Sequence, residues 1–280
     1  MPGASSDLAF RLGQIAVVGA GKMGEAIIAA LVEGASFSPE QISAVAPREH
    51  RRARLSERYG IVTHADVEGL AALDTVILAV KPQILREVAA QLAACWAARP
   101  QRAPKRVISI AAGVPVAVLH ELFFNVAVVR VMPNIALLVG AGMSAVAATP
   151  ATPPDETELA RDLFACMGEA VIIAEELIDG ATAISGSGPA YFALLCRELA
   201  RFGESAGLPA AQAQMLSVQT LFGAARYLQI TEQSPDELMT AVASPGGTTQ
   251  AALESFARND FARIVCEAAS AATARAKELS

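Results

Sequence analysis

The residues of this chain best suited to chemistry gather in two glycine-rich turns far apart in sequence. The first, Gly19-Ala20-Gly21-Lys22-Met23-Gly24, lies between the apolar run Gln14 to Val18 and a stretch, Glu25 to Leu31, with helical spacing. Strand, glycine turn and helix in that order suit a phosphate site. Gly19 permits the tight turn, Gly21 lets the backbone approach a pyrophosphate, and Gly24 allows close packing of helix on strand. The second turn is Ser244-Pro245-Gly246-Gly247-Thr248-Thr249. Here Pro fixes one φ, two glycines free the backbone, and two hydroxyls follow at a helix start. Consecutive amides in such a turn converge on one small carboxylate or phosphate. A plain helix-to-helix connection with a Thr cap is the other reading of the same residues.

Around the first turn the flanking elements predict a dinucleotide site. The second strand, Ile42 to Ala46, should end about twenty residues on at the group that reads the adenosine ribose. An Asp or Glu there marks an NAD site, but this strand runs into Pro47 and then Arg48, Arg51 and Arg52. Guanidinium groups suit a 2′-phosphate. The cofactor expected is therefore NADP(H), with NAD(H) as the alternative. Strands follow at 61–64, 75–80, 106–110 and 126–131, and in a parallel sheet the ligand lies outside their carboxyl ends. Ala79, Val80, Lys81 and Pro82, then Ala112 and Gly113, then Asn134 stand at those ends. Lys81 reads equally as a solvated loop lysine, and Asn134 as an ordinary Asx turn.

The chain divides by character. Residues 1–12 read as a loose tail and residues 13–175 as the nucleotide domain, including a helix at 156–167 and a strand at 170–173. From Ile178 onward no strand pattern survives, so 176–280 is expected to be all-α. Several of its helices are apolar nearly all round, as at Ala210 to Val218. Such helices need cover on every side, which points to burial in a dimer. Ser185-Gly186-Ser187-Gly188-Pro189 heads one of them, either as a helix start or as part of a substrate cavity.

Composition removes several classes. With 280 residues, 53% hydrophobic and 18% charged, general disorder is excluded. A net charge of −6 and the lack of a basic run with aromatics argue against nucleic acid. Arg130, Pro133 and Asn134 interrupt the one long apolar stretch, 126–149, so no membrane span is expected. Cys95, Cys166, Cys196 and Cys266 are widely spaced in apolar contexts, which suits free thiols in the cytoplasm, and the N-terminus lacks the pattern of a signal peptide.

The remaining chemistry is narrow. His50, His64 and His120 all lie in the nucleotide half, so reduction of a carbonyl by His-based proton transfer is disfavoured. No His or Cys cluster has metal-ligand spacing, and no metal is expected. A hydride acceptor that is already activated, such as a protonated imine, needs mainly positioning, a hydroxyl near nitrogen and an anchor for any carboxylate.

The motifs GAGKMGEA, LAVKP, ISIAAGV, VRVMPN, SGSGPAY and SPGGTT occur in this order from Gln14 to Leu279, and in their order and spacing the chain resembles the pyrroline-5-carboxylate reductases. The pattern Pro235-x-x-Leu238-x-x-x-Val242-Ala243-Ser244-Pro245-Gly246-Gly247-x-Thr249 looks like that family's signature. The resemblance implies an N-terminal Rossmann domain with a C-terminal all-α dimerisation domain of the 6-phosphogluconate dehydrogenase type. It also implies reduction of 1-pyrroline-5-carboxylate to L-proline and a dimer that extends to a decamer. By resemblance, the backbone amides of Gly247 and Thr248 hold the substrate carboxylate, in a substrate-binding turn that includes Gly246 and Thr249. Thr249 approaches the ring nitrogen, Ser244 supports the loop or the proton path, and Glu175 stands near cofactor and substrate. Ile135-Ala136, Asp66 and Ala241 depart from the residues common in that family. The rival readings are a related reductase of another cyclic imine and a non-catalytic dinucleotide-binding regulator. A β-hydroxyacid reductase would need a Lys in SGSGPAYFALLCREL, which has none.

Overall fold

The structure, a computed structural model, describes residues 2–33, 37–70, 73–100 and 103–279. It forms two compact units, one of Met1–Gly186 with Thr273–Ser280 and one of Ser187–Ala272.

In the first unit, short runs rich in β-branched and apolar residues form the middle of a sheet. β1 (Ile15–Val18), β4 (Thr75–Leu78) and β5 (Arg106–Ser109) are buried at every position, as expected for parallel strands covered on both faces. With β2 (Ile42–Val45), β3 (Val62–His64), β6 (Ala127–Pro133), β7 (Gly142–Ala147) and β8 (Gly168–Ile172) they make an eight-stranded sheet of order β3-β2-β1-β4-β5-β6-β7-β8. Every neighbour pair is parallel except β6 with β7. Alternate residues supply the two faces. Ile15 and Val17 join a core with α1 (Pro2–Leu12), α2 (Lys22–Glu33), α3 (Glu49–Tyr59) and α6 (Pro154–Ala165). Ala16 and Val18 join a second core with α4 (Pro82–Ala98) and α5 (Val116–Leu122).

Three features depart from the sequence expectation. The expected loose tail is helix α1, with Leu8, Ala9 and Leu12 in the core and α1 packed on α6. Buried Arg106 explains its order: the guanidinium pairs with Glu156 of α6 and donates to the Arg11 carbonyl (3.3 Å) and to Thr75 Oγ1 (2.8 Å). Secondly, the stretch 126–149 holds two strands. β7 was hidden by its small residues, Gly-Met-Ser-Ala-Val-Ala, which carry little strand propensity and pair antiparallel with β6. Thirdly, the first unit continues past 175. Ile178 of α7 (Ile178–Ala181) packs with Ala145 and Ala147 of β7, and the π-helical turn Thr182–Gly186 follows it.

The second unit comprises α8 (Gly188–Ser205), α9 (Ala210–Thr231), α10 (Pro235–Val242), α11 (Thr248–Arg258) and most of α12 (Phe261–Leu279). α8 and α9 approach closely where Gly203 faces Ala213, and the Ser217 hydroxyl donates to the Cys196 carbonyl at 2.7 Å. Large side chains remain exposed, among them Phe202 (70%), Met215 (69%) and Phe222 (61%). No described residue of α10, α11 or α12 is buried. Exposed apolar surface on this scale marks an interaction face. Among the described residues no helix is long and apolar enough to cross a membrane.

Candidate functional site

The glycine turn opens a cleft of about 620 Å³ along the carboxyl ends of β1, β2 and β4. Gly19, Ala20, Gly21, Lys22, Arg48, Ala79, Val80 and Lys81 line it, as does Asp66 from the loop after β3. Gly19 takes φ 98, in the left-handed region, and an added Cβ would lie 2.8 Å from the Ala79 backbone. At Gly21 a Cβ would meet nothing within 4 Å, so the turn is open on the side where a phosphate must come. Gly24 does not line the cleft; it lies against the Gly19 carbonyl and the Ala79 side chain, which brings α2 close to the strands. Met23 packs on the core and Pro82 begins α4, so neither is part of the lining. The amides of Gly21, Lys22, Met23 and Gly24 have no partner among the described residues. Four free donors at a helix N-terminus are what a pyrophosphate requires. The turn and the helix therefore fit NADP(H).

No carboxylate ends β2; the chain continues Ala46, Pro47, Arg48. The three arginines beyond it separate in role. Arg51 donates to the carbonyls of Ala20 (2.8 Å) and Gly21 (3.2 Å), and Arg52 to those of Ala46 (2.9 Å) and Pro47 (2.7 Å). Arg48, the residue before α3, is exposed, and its side chain has no partner among the described residues. Asp66 accepts from the Gly69 amide at 3.2 Å and so shapes the turn after β3.

Several expected cofactor residues take other work. Asn134 is buried; its Oδ1 accepts from the amides of Ala136 (3.1 Å) and Met143 (3.2 Å), and its Nδ2 donates to the Ser185 carbonyl (3.0 Å). The two bonds to Oδ1, one of them closing an Asx turn, fasten the β6–β7 connection, and the third ties it to the π-helical turn. Ala112 and Gly113 lie outside the cleft lining, and a Cβ on Gly113 would run into the Leu279 carbonyl at the end of α12. Glu175 Oε1 accepts from the Val116 amide (2.6 Å) and from Arg130 of β6 (3.2 Å), so this carboxylate caps α5. Its other oxygen has no protein partner among the described residues.

In the second unit the SPGGTT stretch is a turn that leads into α11. Gly246 takes φ 72, and its amide donates to Gln250 Oε1 at 2.7 Å; the Gly247 amide donates to the Ser244 carbonyl at 2.9 Å. Both glycine amides are thus spent inside the turn, including the one the resemblance assigned to a carboxylate. The amides of Thr248, Thr249 and Gln250 have no partner among the described residues, and Gly247, the N-cap, supplies no side-chain cap. Three free donors thus stand together at the start of an eleven-residue helix, an arrangement that favours an anion. Among the described residues no group of three or more His, Cys, Asp or Glu is placed to hold a metal ion.

Residues 175–279 match a family model described as pyrroline-5-carboxylate reductase dimerisation, and residues 14–113 one described as NADP oxidoreductase coenzyme F420-dependent. The chain is 40% identical over 267 residues to a pyrroline-5-carboxylate reductase of Synechocystis sp., covering 95% of this chain and 98% of that one. It belongs to the pyrroline-5-carboxylate reductase family. A solved reductase of this family from Coxiella burnetii, 32% identical, superposes with a TM-score of 0.88 over 96% of this chain and 99% of that one. Another from Plasmodium falciparum, solved with NADP bound, gives 0.81 at 27% identity, covering 96% and 98% of the two chains. Like its relatives, the chain combines a Rossmann-type parallel sheet with a helical dimerisation domain, and its exposed α8–α9 side chains belong to that second part. Sequence reasoning missed Glu25, Arg130 and β7. A buried cation such as Arg130 needs a counter-charge, but its partner Glu175 lies on another element and no spacing in the sequence discloses it.

Proposed function

We propose that this chain reduces 1-pyrroline-5-carboxylate to L-proline with NADPH, as a cytoplasmic homodimer. The observation that carries this reading is the likeness to a pyrroline-5-carboxylate reductase over 95% of the chain, because it spans both glycine turns. Bound NADPH supplies a hydride, which goes to the C=N carbon of the ring. The chain's own residues bind and orient. The free amides of Gly21 to Gly24 receive the pyrophosphate, Arg48 receives the 2′-phosphate, and Ala79 to Lys81 wall the cleft.

On the substrate side, the free amides of Thr248 and Thr249 hold the carboxylate at the positive end of α11. The Thr249 hydroxyl, in the first turn of that helix, donates toward the ring nitrogen as its electron pair develops. Ser244, whose hydroxyl lies over Gly247, keeps the turn in shape. With a protonated imine, hydride addition alone completes the amine, so no side chain has to deliver a proton. The four cysteines are free thiols, in keeping with the cytoplasm.

The test is the initial rate of NADPH and NADH oxidation with 1-pyrroline-5-carboxylate, run beside its six-membered homologue. Saturable turnover of the five-membered ring, faster with NADPH, is expected. Preference for the six-membered ring would reassign the substrate, and binding of NADPH without turnover of either would leave a regulatory protein. Light scattering of the same sample separates a dimer from the decamer that the family resemblance implies.

A further inference from the structure

Among the described residues, the polar partners of the Arg51 side chain are the glycine turn and the first turn of the helix after it. Its Nε donates to the Ala20 carbonyl at 2.8 Å, and its Nη2 lies 3.2 Å from the Gly21 carbonyl and 2.6 Å from Glu25 Oε2. Both partners are largely covered, with 22% of the Arg51 side chain and 14% of the Glu25 side chain exposed. The other oxygen of Glu25 faces Arg54 (3.4 Å), Arg58 (4.0 Å) and the Tyr59 hydroxyl (3.5 Å), all from α3. One carboxylate on α2 thus anchors the basic face of α3.

We propose that Glu25 and Arg51 form a clamp that orients the peptides of the glycine turn, and that both are positioning residues for the pyrophosphate of the dinucleotide. This rests on the NADP(H) reading of the cleft. In a trans peptide the carbonyl of one residue and the amide of the next point in opposite directions, and the described residues contain no cis peptide. Drawing the Ala20 carbonyl onto the guanidinium turns the Gly21 amide away from it, and that amide is free; the Gly21 carbonyl, which Arg51 also reaches, is held in addition by the Glu25 amide at 2.9 Å. Released, the Ala20 carbonyl can swing toward an incoming phosphate and repel it, while the Gly21 carbonyl keeps only its bond from the Glu25 amide. Only a planar fork reaches two carbonyls and a carboxylate together; a lysine ammonium does not.

The clamp also divides labour among arginines that the sequence presents as equivalent. Arg51 is neutralised by Glu25 and Arg52 is spent on the Ala46 and Pro47 carbonyls, which leaves Arg48 to tell NADPH from NADH. Arg51 raises affinity for both dinucleotides alike.

The experiment uses the full chain with Arg51→Lys and, separately, Glu25→Gln, each checked for folding by thermal melting. Dissociation constants are measured for NADPH and NADH, and 2′-AMP, which carries the 2′-phosphate but no pyrophosphate, is titrated as a competitor of NADPH. Arg51→Lys is expected to weaken NADPH and NADH by the same factor, about tenfold, while 2′-AMP binds as before. In turnover the KM values for the two dinucleotides rise together and kcat falls much less. Glu25→Gln moves both dinucleotides in the same direction by a smaller equal factor, and it serves if the lysine variant does not fold. Selective loss of NADPH, or loss of 2′-AMP with it, would overturn the clamp and make Arg51 a phosphate ligand. Unchanged affinities in both variants would overturn it too, since the turn would then hold its own shape. A wild-type protein that binds neither dinucleotide would sink the cofactor reading itself, a result distinct from either.

Discussion

Gly246 and Gly247 are neighbours, yet a methyl group costs different things at the two. At Gly246, φ is 72 and an added Cβ meets nothing within 4 Å. Gly246→Ala therefore carries only the left-handed backbone penalty, roughly 1–2 kcal/mol. Gly247 has an ordinary φ of −82, but its Cβ would lie 2.9 Å from the Ser244 carbonyl oxygen and 2.5 Å from the Ser244 hydroxyl. The turn must open, and the hydrogen bond from the Gly247 amide to the Ser244 carbonyl, 2.9 Å, opens with it. The amides of Thr248 and Thr249 then lose their aim. A hydrogen bond to a charged group contributes about 1.5–3 kcal/mol. Two misdirected donors therefore cost roughly 3 kcal/mol or more, about two powers of ten in kcat/KM for the imine. Gly246→Ala should lose about one and a half powers of ten at most, even if the whole backbone penalty falls on kcat/KM. The dissociation constant of NADPH should stay put in both, because neither change touches the first glycine turn. The assay is kcat/KM for 1-pyrroline-5-carboxylate at saturating NADPH, with NADPH binding followed by fluorescence. Equal losses in the two variants, or a Gly247→Ala enzyme within about threefold of wild type, would refute the carboxylate cradle.

Other expectations concern separate parts of the molecule. Thr249→Ala should lower kcat by roughly one to several powers of ten with NADPH affinity nearly intact, since the lost contact matters most as charge shifts at nitrogen; an unchanged kcat refutes the role. Arg48→Ala should raise the KM for NADPH about tenfold and leave that for NADH nearly as it was, and an equal rise in both would make Arg48 mere surface charge. Phe222→Glu combined with Met215→Glu places charges on exposed apolar positions of α9, so light scattering should find monomer where the wild type is dimeric. A persistent dimer would move the interface elsewhere. Burial pushes the Asp74 carboxyl up, but hydrogen bonds from the Lys105 ammonium (2.9 Å) and the Gln14 amide (3.1 Å) outweigh it and hold the group below the usual carboxylate range. A depressed folded-state pKa stabilises fully above the unfolded value, about 3.9, and the gain is lost as pH falls through the folded one. Asp74→Asn should thus cost about 1 kcal/mol at pH 7, and the gap in Tm from wild type should close as pH drops below about 4. A gap that persists there would assign the effect to packing.

The sequence by itself determined whatever depends on local pattern. Gln14 to Gly24 can only be a strand, a turn and a helix start, because its apolar run, its three glycines and its following helical spacing each demand the same local geometry. The end of β2 without a carboxylate, the all-α character after Ile178 and the excess of apolar residues on α9 were legible for the same reason. Tertiary structure decided what depends on partners distant in sequence. Nothing near Pro2–Leu12 says that the Arg11 carbonyl will meet Arg106 and the Leu12 carbonyl the Thr75 hydroxyl, so the helix reads as a tail until β4 and β5 are in place. Arg48, Arg51 and Arg52 look alike along the chain, and only the folded positions of Glu25, Ala20 and Ala46 separate the two that hold loops from the one proposed to meet the 2′-phosphate. Asn134 and Glu175 sit where a cofactor contact was expected. The amide oxygen and nitrogen of Asn134 and one oxygen of Glu175 go instead to Ala136, Met143, Ser185, Val116 and Arg130, because a covered donor or acceptor is satisfied by whichever partner the packing brings within reach.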